Sequence, residues 1–158
     1  MNLGIRKVIR QDFDSWFDMR MLLWPDCPEQ EHRDEMKAII EGKPIGKELE
    51  TEIFIYESKN GELIGFIELS LREELDGFST SPIGYIEGWY VRKDYRLKGI
   101  GRELINEAEY WATGKGCKEM ASDAEKHNDI SIEAHKKLGF REYGSNEGEV
   151  LFRKRIYA

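Results

Sequence analysis

Five cationic side chains, Arg92, Lys93, Arg96, Lys98 and Arg102, crowd the stretch "VRKDYRLKGIGREL", and two glycines, Gly99 and Gly101, stand where a helix begins. The first backbone N–H groups of a helix lack intrahelical partners and carry the positive end of its dipole. Glycine lets a ligand come close to that backbone, so a strand feeding such a turn offers a phosphate site, with Arg96 and Lys98 adding charge at the rim. The plain alternative is a solvated basic turn with two incidental glycines. The stretch is not a Walker P-loop, because no GK[ST] follows. It also lacks the third glycine of the dinucleotide pattern GxGxxG, whose place is taken by Leu104.

Such a turn needs a strand before it and a helix behind it. "IGYIEGWYV" reads as that strand, with Gly88 marking a bulge or a close approach by something else. "GRELINEAEYWATG" reads as the helix, its apolar face formed by Leu104, Ile105, Ala108, Trp111 and Ala112. Upstream, "GIRKVI" reads as a first strand. "DFDSWFDMRMLLWP" follows as a helix capped by Asp12 or Asp14, with Trp16, Met19, Leu22 and Leu23 at helical spacing and Pro25 as its stop. "PEQEHRDEMKAIIEG" is a second helix from Pro28 to Gly42, and "GKPIGKELE" has no clear period. "EIFIYES" and "ELIGFIELSL" alternate around Asn60-Gly61 as a hairpin, and "REELDGFSTSP" is a polar loop. Downstream come a short strand "CKEMAS", a helix "NDISIEAHKKLG" ending at Gly139, and a last strand "VLFRKRIY". A meander followed by alternating strand and helix is a mixed α+β sheet with helices packed on it.

The chain of 158 residues, 35% of them charged and 40% hydrophobic, predicts one globular domain over 1–158. No run approaches the roughly 20 apolar residues of a membrane span, and the first residues lack the apolar core of a signal peptide. Cys27 and Cys117 form no CxxC or Cys/His cluster, which points to a reducing cytoplasm and to no metal site. The 31 acidic against 24 basic side chains, net −7, disfavour nucleic acid and favour cationic partners.

With those elements in order, Val91 followed by Arg96-x-x-Gly99-x-Gly101 resembles the acetyl-CoA signature of the GNAT superfamily of N-acetyltransferases. "N-x-x-x-x-x-A-x-x-x-LGF", from Asn128 to Phe140, is similar to that family's second cofactor motif. The resemblance spans essentially the whole domain. It implies a central, mostly antiparallel sheet splayed between strands four and five and flanked by helices. It also implies acetyl-CoA contacts at Trp89, Tyr90, Val91, Arg96, Leu97, Lys98, Gly99, Ile100, Gly101, Arg102, Asn128 and His135.

Shorter patches narrow it: "LLWPD", "EGWYV", "ASDA" and "AHKKLGF" look like one branch of the bacterial aminoglycoside 6'-N-acetyltransferases. That branch implies direct transfer to a cationic acceptor, whose ammonium groups call for carboxylates. Glu87 and Asp123, near the ends of the two strands that separate, become candidates for holding the acceptor and for taking its proton. Read without the resemblance they are a solvent-facing strand residue and a cap or turn residue. Trp24 and Asp26 would wall the acceptor site, though Trp24 equally suits the core. An N–H between Trp89 and Val91 would stabilise the oxyanion. The tyrosine many members use as an acid is replaced by His135, which would serve the thiolate, line the pantetheine channel or simply pack. Asn128 equally suits an N-cap. The last strand suggests a homodimer. The competing readings are a GNAT enzyme for polyamines or protein N-termini, and a non-catalytic acyl-CoA-binding module.

Overall fold

The computed structural model describes residues 4–43 and 50–156. The segment expected to lack a regular period falls largely on 44–49, outside the described residues. The chain runs β1 (Ile5–Lys7), α1 (Phe13–Leu23), α2 (Glu29–Ile40), β2 (Glu50–Glu57), β3 (Leu63–Arg72), β4 (Ile83–Val91), α3 (Ile100–Gly114), β5 (Glu119–Glu125), α4 (Asp129–Lys137), β6 (Arg141–Ser145) and β7 (Glu149–Arg155). The strands form one seven-stranded sheet in the order β1-β2-β3-β4-β5-β7-β6. Only β4 and β5 pair in parallel; the other neighbours are antiparallel. This is the mixed sheet the sequence implied. Among the described residues no helix is long and apolar enough to cross a membrane.

Both faces of the sheet are covered. On one face α3 lays Leu104, Ile105, Ala108, Trp111 and Ala112 against Phe54, Ile67, Leu69 and Ile86. On the other, α1 and α2 pack Trp16, Met19 and Met36 on Ile53, Ile55 and Phe66. That is why β3 is buried continuously from Leu63 to Leu71 and not only at every second residue. The hairpin forms across Asn60-Gly61, with Gly61 in the left-handed region (φ 82°).

Four details differ from the sequence reading. Asp12 does not cap α1: its carboxylate accepts from the Ile9 N–H at 2.8 Å and pairs with Arg6, and α1 starts without a side-chain cap. Leu22, counted with the helical stripe, is exposed. The strand expected to stop at Ser122 continues to Glu125, so Asp123 is a strand residue. Finally, β6 (Arg141–Ser145) has no counterpart in the sequence reading. Its sequence REYGS is mostly exposed and polar, and pairing with β7 alone makes it a strand. The apolar alternation of β7 is accordingly used within the sheet, between β5 and β6.

Candidate active site

The parallel pair holds for three rungs, Gly84 with Met120, Tyr85 with Ala121 and Ile86 with Ser122. Beyond them the strands part. On the β3 side, Glu68 pairs with Gly88 and Leu69 with Ile86, so Glu87 is the extra residue of a β-bulge. Gly88 answers the second half of its expected role: a Cβ there would lie 2.5 Å from the Trp24 ring.

The fork opens into two joined chambers. One, of about 360 Å³, is lined by Leu22, Tyr90, Val91, Tyr95, Arg96, Leu97, Gly101, Ile130 and Ala134. The other, of about 210 Å³, is lined by Trp24, Ile86, Glu87, Gly88, Ser122, Asp123, Ala124, Glu125, His135 and Glu149. Leu23, Trp89, Asn128 and Ser131 belong to both. The larger chamber ends at the start of α3. The first backbone bond of that helix runs from the Glu103 N–H to the Gly99 carbonyl at 3.0 Å, so the N–H groups of 100–102 have no partner within the helix. Gly99 (φ 85°) and Leu97 (φ 65°) both adopt left-handed backbone. For leucine this costs about 1–3 kcal/mol, a strain typical of ligand clamps. Leu97 is fully exposed, so no burial of its side chain compensates.

Arg96 donates from Nε to the Val91 carbonyl at 2.8 Å and lies over the Tyr90 ring. Trp89 donates from Nε1 to the Gly101 carbonyl at 3.2 Å. Lys98 and Arg102 stand outside the lining, and the Ile100 side chain is buried in the core, which leaves its backbone N–H for a ligand. Free N–H groups, a strained approach and a guanidinium fit the diphosphate of a coenzyme A thioester.

The smaller chamber is built from side chains. Glu87 Oε2 accepts from Ser70 Oγ at 2.5 Å and from Arg72 at 2.6 Å. The Tyr85 hydroxyl donates to Asp123, with the Arg72 guanidinium 3.9 Å above the Tyr85 ring. Burial, reinforced by Glu149 and Glu87, pushes the Asp123 carboxyl up to about 7, against the lowering effect of Tyr85. The two candidate carboxylates therefore differ: Glu87 is paired with a cation, whereas Asp123 is bonded by a neutral phenol.

His135 is buried, stacked on Phe152 at 4.6 Å. Its Nδ1 lies 2.7 Å from the Ser131 carbonyl, which can only accept, so Nδ1 carries the proton. Nε2 then accepts from the Ser122 hydroxyl at 2.8 Å. Burial lowers the imidazole pKa and favours this neutral form. Asn128 caps α4 by accepting from the Ser131 N–H at 3.0 Å, and it also lines both chambers. Asp26 is exposed and outside the linings of the cleft. Sequence reasoning missed Ser70, Arg72, Tyr85, Ser122 and Glu149. For Ser70 a signal existed: with Glu68 it interrupts the apolar run of the strand between Leu63 and Leu71.

A sequence profile described as the acetyltransferase (GNAT) family matches residues 16–140. The chain belongs to that family. It is 38% identical over 138 residues to an aminoglycoside N(6')-acetyltransferase type 1 of Klebsiella aerogenes, covering 87% of this chain and 89% of that one. A Salmonella typhimurium protein of the same name is 34% identical over 97% of this chain and 99% of its own. Among solved structures, AAC(6')-Iy in complex with the bisubstrate analogue CoA-S-monomethyl-acetylneamine superposes with a TM-score of 0.80 at 31% identity, over 92% of this chain and 95% of that one. The GNAT fold expected from the Arg96–Gly101 motif is thus borne out.

Proposed function

We propose that the protein transfers the acetyl group of acetyl-CoA to the 6'-amino group of aminoglycosides, by direct attack in a ternary complex. The observation that carries this reading is the fork between β4 and β5, where an anion-binding helix start opens into a chamber holding Glu87 and Asp123. Relatives of the same architecture are named for that acceptor. Acetyl-CoA supplies the acyl group as a thioester, its diphosphate lying on the N–H groups at the start of α3 beside Arg96. Glu87, fixed by Ser70 and Arg72, attracts an ammonium group. Asp123 takes the proton of the reacting amine, and a carboxyl with a pKa near 7 suits that task at neutral pH. A backbone N–H of β4 between Trp89 and Val91, on the edge that β5 has left, stabilises the charge developing on the carbonyl oxygen. The Ser122 hydroxyl can turn from His135 to the leaving sulfur. Trp24 walls the acceptor. A homodimer and a cytoplasmic site of action belong to the same reading; both cysteines are free thiols, as a reducing compartment favours.

The test is thiol release from acetyl-CoA with kanamycin, tobramycin, spermidine and a short peptide as separate acceptors. Turnover is expected with the two aminoglycosides, and NMR of the product should place the acetyl group on the 6' nitrogen. Turnover with spermidine or the peptide in their place would overturn the assignment.

A further inference from the structure

Behind the acceptor chamber lies a buried ionic assembly that the proposed chemistry does not use. Arg20 on α1 is 2% exposed and Glu68 on β3 is 4% exposed. Arg20 donates to Glu68 through Nε at 2.7 Å and through a terminal nitrogen at 3.1 Å. It also reaches Glu35 on α2 at 2.9 Å. Its remaining nitrogen donates to His32 Nδ1 at 3.2 Å, so the opposite ring nitrogen carries the proton and donates to the Trp24 carbonyl at 3.2 Å. The guanidinium carbon lies 5.0 Å from the Trp24 ring centre and the His32 ring stacks beside it, while the Trp24 backbone N–H donates to the Arg20 carbonyl at 2.8 Å as the last bond of α1.

A buried pair of this kind contributes little to stability by itself, since apolar residues of similar volume often serve as well or better. Its geometry relative to Trp24 suggests another role. In front, the ring is pressed onto β4 at the bulge, where a Cβ on Gly88 would come within 2.5 Å of it. Behind, a second cavity of about 210 Å³ is lined by Arg20, Trp24, Glu35, Glu68 and Glu87 among others. The Phe66 ring, 6.5 Å away, and the stacked His32 ring bound Trp24 elsewhere, and the cavity is the space into which it can move. The strand residue facing Gly88 across the bulge is Glu68, the carboxylate that grips Arg20. Bulge, glycine, tryptophan, arginine and glutamate form a closed circuit.

We propose that Arg20, clamped by Glu68 and Glu35, is a positioning residue: it holds Trp24 edge-on against Gly88 and so sets the width of the acceptor chamber. The role rests on the reading of that chamber as the acceptor site. Loss of the clamp lets the ring swing into the rear cavity and loosens the acceptor, while acetyl-CoA, bound at the far end of the cleft, is unaffected.

The experiment uses the full-length double variant Arg20→Met/Glu68→Gln, which removes both buried charges together and keeps an amide oxygen for the Trp16 indole N–H, which donates to Glu68 at 3.0 Å. Its melting temperature should stay close to that of the parent. Its kanamycin KM should rise about tenfold or more, with the acetyl-CoA KM within about twofold of the parent. Trp24 emission, isolated by subtracting the spectrum of the same protein carrying Trp24→Phe, should shift to longer wavelength. This readout needs no turnover. Unchanged Trp24 emission would overturn the positioning role. Shifted emission with an unchanged kanamycin KM would leave the acetyl transfer standing and overturn the part of Trp24 in setting the width of the chamber. If the double variant does not fold, Gly88→Ala pushes the ring from the other side with the ions intact. The same split between the two KM values is then expected, and its absence would overturn the proposal.

Discussion

The two ends of the cleft are made of different materials. The cofactor end is backbone: open N–H groups at the start of α3, a left-handed Gly99 and Leu97, and the free edge of β4. The acceptor end is side chain: Glu87, Asp123, Tyr85 and Ser122, each held by partners from other elements. A backbone site serves an invariant ligand and is encoded within about ten consecutive residues. A side-chain site can be altered one residue at a time while the fold stays as it is, consistent with one architecture hosting many acceptors.

The contrast is open to test, and Asp123→Asn should show the largest effect. Loss of a general base costs on the order of 10²–10⁴ in kcat, with the acetyl-CoA KM preserved. In the parent, only the carboxylate form of Asp123 can take a proton, so activity should rise with pH through about 7. That inflection should vanish in the variant; a pH–rate profile of both proteins decides it. Gly101→Val probes the other end. The added side chain meets the Trp89 ring, which a Cβ would already approach to 3.2 Å. The acetyl-CoA KM should rise about tenfold with the kanamycin KM unchanged, and a matching rise in both would show that the ends are not independent. The smallest effect belongs to Tyr85→Phe. Its hydroxyl lowers the Asp123 pKa, so removing it should move the inflection upward, above 7, and slow the reaction a few-fold at neutral pH.

The same contrast explains what could be read from sequence. The spacing Arg96-x-x-Gly99-x-Gly101 is local, so strand, turn and helix announced themselves together, and α3 buries the face that its period indicated. Tyr85 and Asp123 lie 38 positions apart, and Ser70 and Glu87 are 17 apart. These pairs exist only because β3, β4 and β5 are neighbours, which no local pattern states. Glu87 and Asp123 were reached through the family resemblance, and their partners were not reached. Leu22 misled for a physical reason: helical periodicity marks an apolar stripe but not whether a core or a ligand cleft will cover it. The edge strand β6 lacks an apolar pattern because one partner and solvent are its only neighbours.

The bulge at Glu87 carries a further consequence. Along a strand, odd and even positions address opposite sides, and one surplus residue exchanges that parity. Ile86 before it and Trp89 and Val91 after it accordingly all face the α3 side, while Tyr90 faces α1 and α2. The partners across the ladder show what the surplus residue is: without Glu87, Ile86 would still face Leu69 and Gly88 would still face Glu68, and the two strands would run on in simple alternation. The candidate carboxylate is thus an insertion into β4 that every neighbouring side chain could do without and still keep its place.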